Sequence, residues 1–138
     1  MTHELTFITS SLFDKAAFDN NADYWRFSFT DKIYASSSGF WRLLKSNKII
    51  FVSFDNGEQF GLPEPIDLAV ELNKILEGKY LTKIEVLKDT FDLVLTLTDD
   101  LKLEIFIASS GYETYDFSLN AKRYIGLGSG DIAIMNIS

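Results

Sequence analysis

The feature that most constrains this chain is a period-two alternation between Phe91 and Ile107. Phe91, Leu93, Leu95 and Leu97 recur at every second position, Thr98-Asp99-Asp100 supplies a turn, and Leu101, Leu103, Ile105 and Ile107 alternate on the return. Residues two apart share one face of a strand, so the stretch reads as an antiparallel hairpin with one face in a core. The same period places Trp25, Phe27 and Phe29 on one face and Arg26 and Ser28 on the other. Ile33-Tyr34 and Trp41-Arg42-Leu43-Leu44 read as further short strands. The unbroken apolar run Ile49 to Phe54 reads as a strand buried on both faces. Tyr112 to Leu119 and Tyr124 to Ile137 complete the set. Gly126, Gly128 and Gly130 interrupt the last one, where a bulge or a sharp bend is expected.

Two stretches carry a different signal. Ile66, Ala69, Val70, Leu72, Ile75 and Leu76 form a broad helical stripe, Pro65 suits a first helical position and Gly78 a stop, which predicts a helix over 65–77. Ser11-Leu12-Phe13-Asp14 has the form of a capping box and predicts a short N-terminal helix through Ala17 or Phe18, ended by Asp19-Asn20-Asn21. The expected fold is therefore α+β. It is a single domain over 1–138, with about eight or nine antiparallel strands in a sandwich or partly open barrel and one main helix. At 138 residues such a domain builds a core without metal or disulfide. Ser37-Ser38-Gly39-Phe40 recurs as Ser109-Ser110-Gly111-Tyr112. The echo reads first as a common turn met twice, and otherwise as two related β units, about 24–61 and 91–130, joined through the helix.

The chemistry is bounded by what is missing. There is no cysteine and a single histidine, His3, in a terminus expected to fray. Disulfides, thiolate nucleophiles, His-based triads and haem ligation are excluded, and no metal-ligand spacing or cofactor motif is present. Gly126-Leu127-Gly128-Ser129-Gly130 lacks both the lysine and the following helix that a phosphate loop needs. Acid–base work by carboxylates alone needs a shielded pair. Asp99-Asp100 falls in an open turn, and Glu58 with Glu64, in the loop before the helix, is the one pair to try. Solvation of Glu58 and a helix-dipole role for Glu64 explain both residues without catalysis.

Thirteen basic residues stand against twenty acidic ones, a net charge of −7, which disfavours direct nucleic-acid binding. The excess is concentrated: Glu85, Asp89, Asp92, Asp99, Asp100, Glu104, Glu113 and Asp116 share their stretch with only Lys88 and Lys102. A solvated face is the first reading, and an electrostatic docking face for a basic partner is the second. Tyr112 and Tyr115 adjoin Glu113 and Asp116, a tyrosine-plus-acid pattern that suits an interface. Trp41, beside a Ser-Ser-Gly turn, reads first as core and second as part of a cleft or patch. The N-terminal residues carry no basic, apolar leader, and no apolar run approaches the ~20 residues of a membrane helix. A cytoplasmic chain without membrane contact is expected.

Phe40-Trp41-Arg42-Leu43-Leu44, Asp55-Asn56-Gly57-Glu58-Gln59-Phe60-Gly61-Leu62-Pro63-Glu64-Pro65, and Leu103-Glu104-Ile105-Phe106 up to Ser109-Ser110-Gly111-Tyr112-Glu113 follow one another in a recognisable order. Over roughly 40–130 the chain resembles a family of small bacterial cytoplasmic proteins similar to the immunity partners of polymorphic toxins. Tyr115 stands where that pattern leads one to expect a tryptophan. The resemblance implies no activity and no catalytic residues. The expectation is a non-enzymatic binding protein, an immunity-type inhibitor docking a basic partner protein. In it Glu104, Glu113 and Asp116 steer the partner, Tyr112 and Tyr115 anchor it, and Trp41 lies nearby. The alternative is a small-ligand domain whose aromatic pocket is lined by Trp25, Phe27 and Trp41; an enzyme running on Glu58 and Glu64 comes third. No cofactor and no metal is expected.

Overall fold

A computed structural model describes residues 3–137, with side chains from Leu5 onward. The elements are β1 (His3–Asp19), β2 (Tyr24–Phe29), β3 (Tyr34–Ser37), β4 (Trp41–Lys45), β5 (Lys48–Val52), α1 (Leu68–Leu76), β6 (Tyr80–Leu87), β7 (Leu93–Leu97), β8 (Leu101–Ile105), β9 (Tyr115–Leu119), β10 (Lys122–Leu127) and β11 (Asp131–Asn136). All pairings among the described residues are antiparallel, in one open sheet ordered β11-β10-β9-β3-β2-β1-β6-β7-β8-β4-β5. The α+β class and the dominance of antiparallel strands are as expected, but the described residues form eleven strands rather than eight or nine. Among the described residues, no helix is long and apolar enough to cross a membrane.

Much of the surplus comes from β1. It is 17 residues long and begins at His3, whose side chain lies outside the described residues. The N-terminal helix expected over Ser11 to Phe18 does not form; that stretch is the second half of β1. The Ser11 hydroxyl caps nothing helical: it is buried, shares a hydrogen bond with Thr9 at 2.9 Å and donates to Asp31 at 3.2 Å. Pairing with β2 (Ala16 opposite Phe27, Phe18 opposite Trp25) overrides the local capping signal. Up to Leu12, β1 pairs with β6; from Phe13 it pairs with β2. At the junction Thr30 N donates to Leu12 O and Phe13 N donates to Lys79 O, both at 2.9 Å. The strand thus hands itself from one half-sheet to the other.

The handover lets the two halves face each other. Trp41 of β4 meets Trp25 and Phe27 of β2, each at 5.3 Å and nearly perpendicular. Phe7 of β1 meets Tyr124 of β10 at 5.3 Å, and Tyr124 stacks on Phe117 at 4.6 Å. Each such pair adds about 0.5–1.5 kcal/mol beyond area burial. The hairpin read from the alternation is present as β7 and β8, with Asp99 and Asp100 both at positive φ in its turn.

Helix α1 starts at Leu68, not at 65, because the Asp67 side chain takes the cap by accepting from Val70 N at 3.3 Å. Its buried stripe is Leu68, Leu72 and Leu76, whereas Val70 points outward at 46% exposure. Asn73 closes the edge that β6 leaves free: it donates to Ala16 O at 2.8 Å and accepts from Ala16 N at 3.0 Å. The run Ile49 to Phe54 is not doubly buried. Its strand, β5, is an edge with Ile49 and Ile50 exposed, and a 3-10 turn over Ser53–Asp55 ends it. That edge is blunted by a register shift at Leu43/Leu44 and by Asp55, which accepts from Val52 N at 2.9 Å. Tyr112 precedes the last sheet segment rather than opening it, since β9 begins at Tyr115. The glycine-bearing stretch 124–137 forms two strands, not one bent one.

Two substitutions test this arrangement in urea melts. Leu72→Ala, at a fully buried position, is expected to cost about 2–5 kcal/mol. Asn73→Ala leaves the Ala16 edge unpaired and is expected to cost about 1–3 kcal/mol, whereas the exposed Val70→Ala stays within about 0.5 kcal/mol.

Candidate functional site

Outward-facing positions of β2, β3, β9 and β10 fall into register across the second half-sheet. Arg26 lies opposite Ser36 and Ser36 opposite Asp116; Tyr34 lies opposite Ser118 and Ser118 opposite Arg123. These are the alternates of the core residues Phe27, Ala35 and Phe117, so the pleat that buries the apolar set turns this polar set to the outer face, where Ser36 and Ser118 are themselves covered by their neighbours. Three donors converge on Asp116. Tyr34 OH donates to Oδ2 at 3.0 Å, Arg123 Nε donates to Oδ2 at 2.8 Å, and the Ser36 hydroxyl donates to Oδ1. The Arg26 guanidinium lies over the Tyr34 ring, 4.1 Å from its centroid. The Asp116 carboxylate holds the Arg123 guanidinium above its ordinary range. Burial, reinforced by Asp116, raises the Tyr34 phenol. The cluster lines an open cleft of about 440 Å³ that also takes in Tyr24, Ser37, Ser38, Glu113 and Thr114.

The residues singled out from sequence end up in different places. Asp116 and Glu113 line this cleft. Tyr112 is 80% exposed in the preceding loop. Tyr115 points the other way: it is 3% exposed, and its hydroxyl donates to Phe91 O at 2.7 Å, so it anchors the core and not a partner. Trp41 is fully buried between the half-sheets, and its indole N–H has no hydrogen-bond partner among the described residues. Glu104 lies on the outer face of the other half-sheet, paired with Arg42 at 2.5 Å. Because the inner faces meet through Trp25, Phe27 and Trp41, the outer faces bearing Glu104 and Asp116 point in opposite directions.

The acids of 85–116 therefore do not form one face. Glu85 pairs with Lys83 at 3.3 Å, Asp99 with Lys79 at 2.5 Å, Glu104 with Arg42 and Asp116 with Arg123. The hydrogen bond from Lys79 holds the Asp99 carboxyl below its usual range. Asp92 accepts from Ile107 N at 2.8 Å. Trp25, Phe27 and Trp41, expected to line a pocket, pack on one another instead. Trp25 also lines a cavity of about 650 Å³, shared with Phe18, Phe40 and Phe54 and with Ser37, Ser53 and Asn56. Glu58 and Glu64 are both exposed in the loop before α1. No group of three or more metal-ligating side chains occurs among the described residues.

Sequence reading missed Arg26, Tyr34, Ser36 and Arg123. Arg26 is a polar alternate of the Trp25-Phe27-Phe29 strand, as Asp116 is of Tyr115-Phe117-Leu119, but joining them with Tyr34 and Ser36 of β3 and Arg123 of β10 requires knowing that β3 pairs with β9. Two of the glycines of 126–130 sit where the chain is tightly packed against its neighbours. A Cβ on Gly126 would come 2.4 Å from the Tyr115 ring, and one on Gly128 would come 2.5 Å from the backbone at Ser110 and Gly111. The first Ser-Ser-Gly segment packs beside the residue that precedes the second, since a Cβ on Gly39 would lie 2.6 Å from Ala108 Cβ. Comparisons of the chain with protein-family models, curated proteins and solved structures find no match.

Burial raises the Tyr115 phenol well above its ordinary 10.0. A raised phenol pKa in the folded state means its stabilising contribution is complete below about pH 10 and is lost as pH rises toward the folded value. Tyr115→Phe is expected to cost about 1 kcal/mol at neutral pH and to flatten the alkaline fall in stability, measured by urea melts at about pH 8 and about pH 11. Gly126→Ala forces the Tyr115 ring aside and is expected to cost about 1–3 kcal/mol.

Proposed function

We propose that this is a non-enzymatic binding domain that docks a partner protein on the outer face of β2, β3, β9 and β10, in the manner of an immunity-type inhibitor. One observation carries the reading: Tyr24, Tyr34, Arg26 and Arg123 gather in a single open cleft. Tyrosine and arginine are the residues that concentrate binding energy at protein interfaces. Tyr34 and Arg123 are already held by Asp116, so little side-chain freedom is left to lose on docking. Exposed Glu113, at the cleft, is the acid that meets a basic group of the partner, and Tyr112 adds an exposed ring beside it. Inhibition by such a domain is steric, by covering the partner's working surface. The resemblance drawn from the 40–130 segment supports the same class.

The test begins with the neighbouring gene. A toxin encoded there is expected to lose its effect on growth when this protein is co-expressed, and the two are expected to elute together on gel filtration. Tyr34→Ala with Arg123→Glu is expected to weaken the complex by about a hundredfold or more, while Arg42→Ala, on the opposite face, changes it by less than about threefold. Unprotected cells, or equal effects of the two sets, overturn the reading. A second reading, small-ligand binding, is favoured by the cavity beside Trp25, Phe40 and Phe54. A thermal shift with a metabolite panel that disappears in Phe54→Ala supports it.

A further inference from the structure

Of the chain's three arginines, Arg42 and Arg123 are ion-paired. Arg26 has no carboxylate partner among the described residues. It is exposed, it sits in the cleft, and its position is set by stacking on Tyr34. Stacking uses the flat face of a guanidinium, and its N–H donors lie in the plane. The fork of Arg26 is thus held in place by one interaction while its hydrogen-bonding edge stays unused. Tyr34 is itself fixed through its hydroxyl to Asp116, which Ser36 and Arg123 also hold. Tyr24 and Ser38 line the same cleft with hydroxyls that have no side-chain partner among the described residues.

Resting on the docking reading above, we infer that the cleft receives a carboxylate side chain of the partner protein and that Arg26 grips it. A guanidinium fork matches the two oxygens of a carboxylate, and charge-assisted pairs of this geometry are the strong ones. Charge selects carboxylate over phosphate. Arg26 and Arg123 add two positive charges to the cleft and Asp116 and Glu113 add two negative ones, on a chain of net charge −7. A single negative charge is compensated by Arg26, whereas a second one faces Glu113 without a counterion. Glu113 also acts as a filter, since an acid can enter only in the orientation that keeps it on the Arg26 side. Tyr34 is a positioning residue, acting through the ring on which Arg26 lies.

The test uses the whole chain and capped peptides, followed by NMR at the Arg26 Nε–Hε and the Tyr34 and Ser36 amides. Capped Gly-Glu-Gly is expected to give saturable shifts there; capped Gly-Gln-Gly and inorganic phosphate are expected to bind at least about tenfold more weakly. Arg26→Gln is expected to abolish saturation, and Arg26→Lys to bind about fivefold more weakly because the fork is lost. Tyr34→Leu is expected to weaken binding about threefold by freeing Arg26, and Glu113→Gln to strengthen it about threefold. Arg26 is exposed, so a well-dispersed spectrum is expected for each Arg26 variant. Equal shifts with the glutamine peptide, stronger binding of phosphate, or unchanged affinity in Arg26→Gln overturns the carboxylate assignment while leaving the docking reading intact. A partner complex that survives Arg26→Gln with no loss does the same. Loss of the complex in Tyr34→Ala with Arg123→Glu, where Arg26→Gln changes nothing, separates the two ideas.

Discussion

Everything in this molecule depends on the handover at Leu12 and Phe13. A strand edge carries one ladder of backbone donors and acceptors, and β1 gives its first half to β6 and its second to β2. The change of partner is secured by Leu12 and Thr30 on one side and by Phe13 and Lys79 on the other. With each half of β1 bonded to a different half-sheet, the sheet bends there and two apolar faces close on a shared core. The edge exposed by the change is the one that Asn73 fills with its amide, standing in for a missing strand. Helix α1 is where it is because of that edge and because Leu68, Leu72 and Leu76 need the core beneath it.

The closed core then determines what the outside can be. Trp41, Trp25 and Phe27 interlock from opposite half-sheets, so these rings pack on one another at the centre of the core. The rigidity this gives is what the polar cluster on β2, β3, β9 and β10 relies on. Asp116, on β9, gathers Tyr34 and Ser36 from β3 and Arg123 from β10, and their spacing is that of the ladder beneath them. Sites built on paired strands hold their side chains more closely than sites on loops. Arg26, stacked on Tyr34, inherits that order without using its donors.

The sequence was legible wherever one strand could be recognised from its own residues. The β7–β8 hairpin and β2 follow from local alternation at nearly the expected boundaries, and α1 is present within 65–77 with Leu72 and Leu76 buried as expected, though Leu68 joins them and Val70 does not. It was misleading where a local signal competed with a distant partner. Ser11 to Asp14 has the form of a helix cap, yet β2 and β6 claim the same backbone. Ile49 to Phe54 has the composition of a central strand, yet only β4 pairs with it. Tyr115 and Tyr112 look alike from their acidic neighbours, yet alternation across β9 puts the first in the core and the loop leaves the second in water.

The sequence by itself determined that this is an antiparallel β-rich domain with one amphipathic helix, and it removed thiol and histidine-triad chemistry by lacking the residues. Those conclusions depend on composition and on periods of two and 3.6, properties that a segment carries alone. Tertiary structure decided which strands meet, and so which polar residues become neighbours. Asp116 reaches Tyr34 and Ser36 across 82 and 80 residues of chain, and Arg26 joins them only because β2 pairs with β3 and β3 with β9. The acids that look like one cluster in the sequence are dispersed for the same reason. Strand pairing sorts residues by face and by register, and sequence distance has no hold on either.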